Sequence, residues 1–143
     1  MGRSSGRKGA RTERELIREL DARGWWPMKA PASGAATGRD LPDLIAGNGW
    51  SVLVCEVKTS GGDPVYLDRE EVDALVRFAR AYRGSPWVVV RWSSRELRDT
   101  EFYFAQPWDL YETASGSRRV KYENCSRGDL YTLVDVAGVR SSA

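Results

Sequence analysis

The chain contains no histidine. That absence removes Ser-His-Asp and Cys-His catalysis, a histidine general base and histidine-ligated zinc together. Cysteine is scarce. Cys55 lies in a strand-like run and Cys125 in a distant polar stretch. Two such cysteines make neither a disulfide framework nor a zinc pattern. Long apolar runs are missing as well. The longest lies around residues 87–90. A membrane span needs roughly 20 apolar residues in a row. The N-terminus is basic and lacks an apolar signal segment, so a cytoplasmic location is the expectation. Neither a phosphate-cradling P-loop nor a G-x-S-x-G elbow occurs.

What is left for catalysis is carboxylate, lysine, arginine, tyrosine or a hard metal ion. Hard ions such as Mg²⁺ take carboxylate and carbonyl oxygen. The 143 residues suit one domain with a core of its own. Net charge is only +2, so its distribution says more than its sum. Residues 1–12 carry Arg3, Arg7, Lys8 and Arg11 and no acid. Two readings stand for residues 1–10: a basic flexible arm that touches phosphates, or a solubilising tail. Residues 11–136 are expected to form the single folded domain, and 137–143 a flexible tail.

Periodicity predicts an amphipathic helix over 11–23, with Leu16, Ile17 and Leu20 as its apolar stripe and Gly24 as its stop. Thr12 and Glu15 have capping-box spacing. Glu13 shares the stripe by spacing. It either serves a site or simply favours the helix dipole at a half-exposed rim. Residues 25–29 read as an edge strand because of Pro27. Residues 30–40 are a small-residue loop. A hairpin follows over 43–47 and 50–58, turned by Asn48-Gly49. A strand at 65–67 precedes a helix capped by Asp68 and Glu71, with Val72, Leu75, Val76, Ala79 and Tyr82 as its stripe. Residues 86–92 read as a central strand, 101–105 as another, and 107–111 as a short helical turn. Lys121 and 131–136 suggest a last pair of strands. The fold class is therefore α/β, a mixed central sheet flanked by helices.

The hairpin carries the chemistry. It reads D-L-I-A-G-N-G-W-S-V-L-V-C-E-V-K from Asp43 to Lys58. Charged residues are almost never fully buried unless paired. Strand alternation puts Val52, Val54, Glu56 and Lys58 on one face, and Leu53, Cys55 and Val57 on the other. With Asn48-Gly49 as a two-residue loop, Asp43 sits opposite Val54 and diagonal to Glu56. Asp43, Glu56 and the backbone carbonyl of Val57 can ligate a divalent cation, with Glu13 as a further ligand. Lys58 can meet a scissile phosphate and the attacking water. A solvated ion-pair cluster is the structural alternative.

These segments resemble those of archaeal-type Holliday junction resolvases, in the restriction-endonuclease-like nuclease superfamily. The resemblance is carried by K-G-A-R-T-E-R-E-L at 8–16, A-P-A-S-G at 30–34, L-P-D-L-I-A-G-N-G at 41–49 and C-E-V-K at 55–58. It covers about residues 7–112. It implies a restriction-endonuclease-like core, a homodimer that recognises four-way DNA junctions by shape, and Mg²⁺-dependent paired nicking of opposed strands, with Mn²⁺ as a substitute. By the motif match Glu13, Asp43, Glu56 and Lys58 take the catalytic positions, and Ser33 is a loop serine near them. Arg14 and Arg91 match basic positions, and Arg7, Lys8, Arg11 and Arg39 join them as candidate DNA contacts. Phe78 and Tyr82 match aromatic positions that support the dimer, although spacing alone places them in the core. The loop at 35–41 is longer than is common in the family. A replication or recombination protein is a further candidate partner. Two alternatives remain at this level: a related nuclease acting on linear duplex, and a junction-binding protein without catalysis.

Overall fold

The structure, a computed structural model, describes residues 2–31, 41–93, 100–126 and 130–137; for 2–8, 125 and 126 it describes backbone only. In chain order the elements are α1 (Gly2–Ala22), β1 (Trp26–Lys29), β2 (Leu44–Gly47), β3 (Val52–Ser60), β4 (Val65–Leu67) and α2 (Arg69–Ala81). Then come β5 (Ser85–Trp92), β6 (Tyr103–Ala105), a 3-10 turn (Pro107–Asp109), β7 (Tyr111–Glu112) and β8 (Arg118–Val120). The last are α3 (Glu123–Ser126), β9 (Tyr131–Thr132) and α4 (Leu133–Ala137).

Six strands form the main sheet in the order β1-β2-β3-β5-β6-β9. The β3–β5 pair is parallel and its other pairs are antiparallel. The parallel crossover from β3 to β5 is made through β4 and α2, as a parallel pair requires. A separate sheet of three strands, β4-β8-β7, hangs on that crossover. The mixed sheet flanked by helices matches the expected class.

Strand alternation divides the core in two. Leu53, Cys55 and Val57 of β3 and Val89 of β5 pack with Leu16 and Leu20 of α1. Val54 of β3 and Val88 and Val90 of β5 pack with Val72, Leu75 and Ala79 of α2. Each helix thus covers one face of the sheet with its apolar stripe. β5 is buried on both faces, as its continuous apolar sequence predicts. Cys55 is a free, buried thiol, and burial pushes its pKa up.

Four expectations need correction. α1 begins at Gly2, well before the expected start at residue 11. Residues 2–10 are rich in glycine but have no proline to stop the helix, and once a helix is nucleated each added residue gains a hydrogen bond. Thr12 is therefore an interior, buried helix position and not a cap. The hairpin pairs Gly47 with Val52 and Leu44 with Cys55, which makes the loop four residues long. Asn48 closes it with its side chain, whose Oδ1 accepts from the N–H groups of Trp50 and Ser51 at 2.9 and 2.8 Å. Gly49 supplies the positive φ of +90°. Lastly, 131–136 is mostly helix α4, and β8 pairs with β4 and β7 instead of with β9. Asp135 holds the start of α4 through the Thr132 N–H and hydroxyl.

Trp25 ties the two ends of the domain together. Its ring is 5% exposed, and its Nε1–H donates to the Ala137 carbonyl at 2.8 Å. Trp25→Phe should cost about 1–2 kcal/mol, because the buried carbonyl loses its donor. Trp25→Ala should cost about 3–5 kcal/mol through the added cavity. Urea unfolding measures both; equal stability of the Phe variant and the wild type would remove the tie from the account.

Candidate active site

The corrected register changes the hairpin in a useful way. A shift of two residues keeps every side chain on its face. It puts Asp43 one step beyond the last ladder pair of Leu44 and Cys55, with its charge felt at Glu56. There β2 turns toward β1. The Asp43 carbonyl accepts from Ala30 N–H at 3.0 Å while Asp43 N–H donates to Cys55 at 3.0 Å. The Asp43 carboxylate then replaces the missing strand partner: its Oδ2 accepts from Val57 N–H at 2.7 Å. The two backbone groups of one strand residue point to the same side. The Val57 carbonyl therefore faces the Asp43 side, beyond the end of the β2 ladder.

Glu56 and Lys58 project toward α2, as alternation requires. A cleft of about 300 Å³ opens beside them, lined by Pro42, Glu56, Asp68, Glu70 and Glu71 among others. Lys58 Nζ donates to Glu71 Oε2 at 2.5 Å. Glu71 also closes the capping box of α2, as its spacing with Asp68 predicts. Its contact with Lys58 was not legible, because the cap explains the residue fully at the level of sequence. Glu13 lies on α1, across the sheet, yet its charge is felt at both Asp43 and Glu56. Lys29 of β1 stands 3.4 Å from its Oε1, an ion pair without hydrogen-bond geometry. Lys29 is a second group that sequence reading missed; only the β1–β2 register brings it there.

The electrostatics are those of an uncompensated cluster. Burial raises the Glu56 pKa from 4.5 to about 8, and Asp43 adds to it. Asp43 is raised as well, by burial first, with the Val57 N–H pulling the other way. For Lys58 burial alone would favour the neutral amine. The hydrogen bond to Glu71 and the surrounding carboxylates reverse this, and the pKa rises.

Among the described residues no three metal-binding side chains converge into a formed cage. The donor chemistry nevertheless fits a hard divalent cation. Glu13 Oε1 is buried with no hydrogen-bond donor, and Glu56 lies beside Asp43 with its carboxyl desolvated. Asp43, Glu56 and the Val57 carbonyl are the oxygen ligands such an ion takes.

Ser33 and Arg39 fall outside the described residues, as do the side chains of Arg7 and Lys8. Arg11 and Arg14 are exposed on α1. Arg91 is engaged internally. It pairs with Glu15, donates to the Thr100 carbonyl at 2.7 Å and lies over the Phe102 ring at 3.8 Å. Any contact of Arg91 with DNA would compete with these partners. Phe78 and Tyr82 stack at 4.6 Å between ring centroids, and Tyr82 is 56% exposed.

Comparison with known proteins places the chain in a family. The family model described as archaeal Holliday junction resolvase (Hjc) matches residues 4–141. The chain belongs to that family. Relatives named crossover junction endodeoxyribonuclease Hjc include those of Archaeoglobus fulgidus, 36% identical over 91 residues, and Methanocaldococcus jannaschii, 32% over 91. Each match covers 64% of this chain, and 66% and 64% of the respective relative, just under two thirds of their lengths. The solved structure of Archaeoglobus fulgidus Hjc, a Holliday junction resolvase, has a TM-score of 0.78 at 28% identity. That similarity covers 91% of this chain and all of the other. Membership in this nuclease family implies a divalent-metal requirement.

The raised Glu56 pKa makes a testable sign. Between pH 4.5 and about 8 the folded chain holds a proton that the unfolded chain releases. Stability contributed by that proton is lost as pH rises through this window. The metal-free protein should therefore melt lower at pH 8 than at pH 6, and Glu56→Gln should flatten the slope. A divalent cation should raise the melting temperature more at pH 8 than at pH 6, because binding competes with the proton. A cation effect independent of pH would contradict this.

Proposed function

We propose that the chain is a metal-dependent endodeoxyribonuclease that resolves four-way DNA junctions as a homodimer, nicking two opposed strands. The observation that carries the reading is the Asp43 carboxylate, held on Val57 N–H at the end of the β2–β3 ladder, together with Glu56 and Lys58, which feel its charge. Family membership supports the branched substrate, since relatives are named for crossover junctions.

Asp43, Glu56 and the Val57 carbonyl would hold Mg²⁺, and Glu13 would hold a water near it. When bound, that ion supplies Lewis-acid polarisation of the phosphate and a more acidic water. The chain's own residues do the rest. The two carboxylates fix where the phosphate can sit. Lys58 keeps its proton, so its ammonium faces the phosphate and offsets charge that builds in the transition state. Val57 N–H holds the Asp43 carboxylate in one orientation. Arg11 and Arg14, exposed on α1, are candidate phosphate contacts, with Arg7, Lys8 and Arg39 from the same basic set. Ser33 stands by the site in this reading on the motif match alone.

An apolar surface supports the dimer. Register places Trp26 and Met28 on the sheet face that carries α2, and they are 83% and 62% exposed. Tyr82, stacked on Phe78, is likewise exposed, and exposed apolar side chains of this size are what an interface would cover. No helix among the described residues is long and apolar enough to cross a membrane. A cytoplasmic location goes with this reading, and a replication or recombination protein is a candidate partner.

One digest tests the reading. Labelled four-way junction and matched linear duplex are incubated with the protein in Mg²⁺ and in EDTA. Paired nicks in the junction, far slower cutting of the duplex and none in EDTA are expected. Asp43→Ala should keep junction binding and lower cleavage by on the order of 10³-fold. Tyr82→Asp should shift the protein toward monomer by light scattering and uncouple the two nicks. Equal cutting of junction and duplex would favour a linear-duplex nuclease; binding without any cutting would favour a junction-binding protein.

A further inference from the structure

Glu71 does more than cap a helix. In the capping box its N–H donates to Asp68 Oδ1 at 2.9 Å, and its Oε1 accepts from Asp68 N–H at 3.1 Å. A cap needs only one side-chain oxygen, and glutamine serves it as well as glutamate. The second oxygen, Oε2, is surplus to the cap. It meets Lys58 Nζ at 2.5 Å, and Glu71 lines the same cleft as Glu56. Both side chains are partly buried, at 29% and 28% exposure.

We propose that Glu71 is a positioning residue for the nuclease centre, holding the Lys58 ammonium beside the Asp43–Glu56 pair. The proposal deepens the functional reading above and rests on it. Lysine is a point charge on a flexible four-carbon stem. At the end of β3 such a stem sweeps a wide volume unless something holds it. Glu71 holds it from a fixed point, because two hydrogen bonds already lock Glu71 to the first turn of α2. An ammonium carries three donors. One stays on Glu71 Oε2, and the others remain for a phosphate oxygen and the attacking water. The β3–α2 crossover thereby fixes the lysine's direction, while β2 fixes the aspartate's.

Glu71→Gln separates the two roles. Its amide oxygen still accepts from Asp68 N–H, but its NH₂ group cannot accept from an ammonium. The wild type and Glu71→Gln are compared by melting temperature, by junction binding in EDTA, and by single-turnover cleavage at saturating protein with Mg²⁺. An unchanged melting temperature, binding within about twofold and a cleavage rate lower by about 10–100-fold are expected, the size of effect a misplaced catalytic group produces. The same substitution in a Lys58→Gln background, followed over hours with protein in excess, should add almost nothing, because the two residues act through one contact. An equal loss in both backgrounds, a wild-type rate, or a loss explained by melting or binding would each overturn the role. A wild type that cuts no DNA would fail the functional reading and this role with it. A wild type that cuts no faster than Glu71→Gln would fail this role alone.

Discussion

Two carboxylates held side by side in a partly buried place are costly, and the rest of this structure is arranged around that cost. Asp43 and Glu56 come close enough to interact where the β2–β3 ladder ends. Burial pushes both toward their neutral forms; Asp43 adds to the effect at Glu56, and Glu13 and Glu71 add to it at Asp43. A folded domain has little reason to keep such a pair unless something positive is to sit between them. The chain supplies partial relief from several directions. Val57 N–H steadies Asp43, Lys58 comes from the same strand, and Lys29 offsets Glu13. Glu71 then adds a further negative charge, held against Lys58.

The scaffold explains why the pair can exist at all. β3 is a central strand with an apolar face on each side, and its alternation continues through Glu56 and Lys58 without a break. The burial of Val54, Val88 and Val90 under α2 fixes the strand's register and so fixes where the charges emerge. β2 leaves β3 for β1 at Asp43, which opens a gap in the backbone ladder. The carboxylate occupies that gap, with the Val57 carbonyl beside it. Site and fold meet in a single event, the divergence of two strands.

Much of this was legible in the residues. Parity alone placed Glu56 and Lys58 together, and a register error of two left that conclusion intact because the side-chain period is two. The absence of histidine narrowed the chemistry to oxygen ligands and a lysine. The hairpin loop was misread because the Asn-Gly pair offers a tight turn, whereas here Asn48 spends its side chain closing a wider one. The short C-terminal elements were misread because two- and three-residue strands carry too little pattern to distinguish from a helix start. Glu71, Lys29 and the internal engagement of Arg91 were not legible. Each depends on contacts between segments far apart in sequence, and each residue already had a sufficient local explanation.

The central claim is that Asp43, Glu56 and the Val57 carbonyl form one cation site. Anomalous diffraction from crystals grown with Mn²⁺ tests it most directly. The account predicts a manganese peak between the two carboxylates, within bonding distance of both and of the Val57 carbonyl, and its loss in Glu56→Gln. A peak elsewhere, with the Asp43–Glu56 pair empty at saturating Mn²⁺, would contradict it.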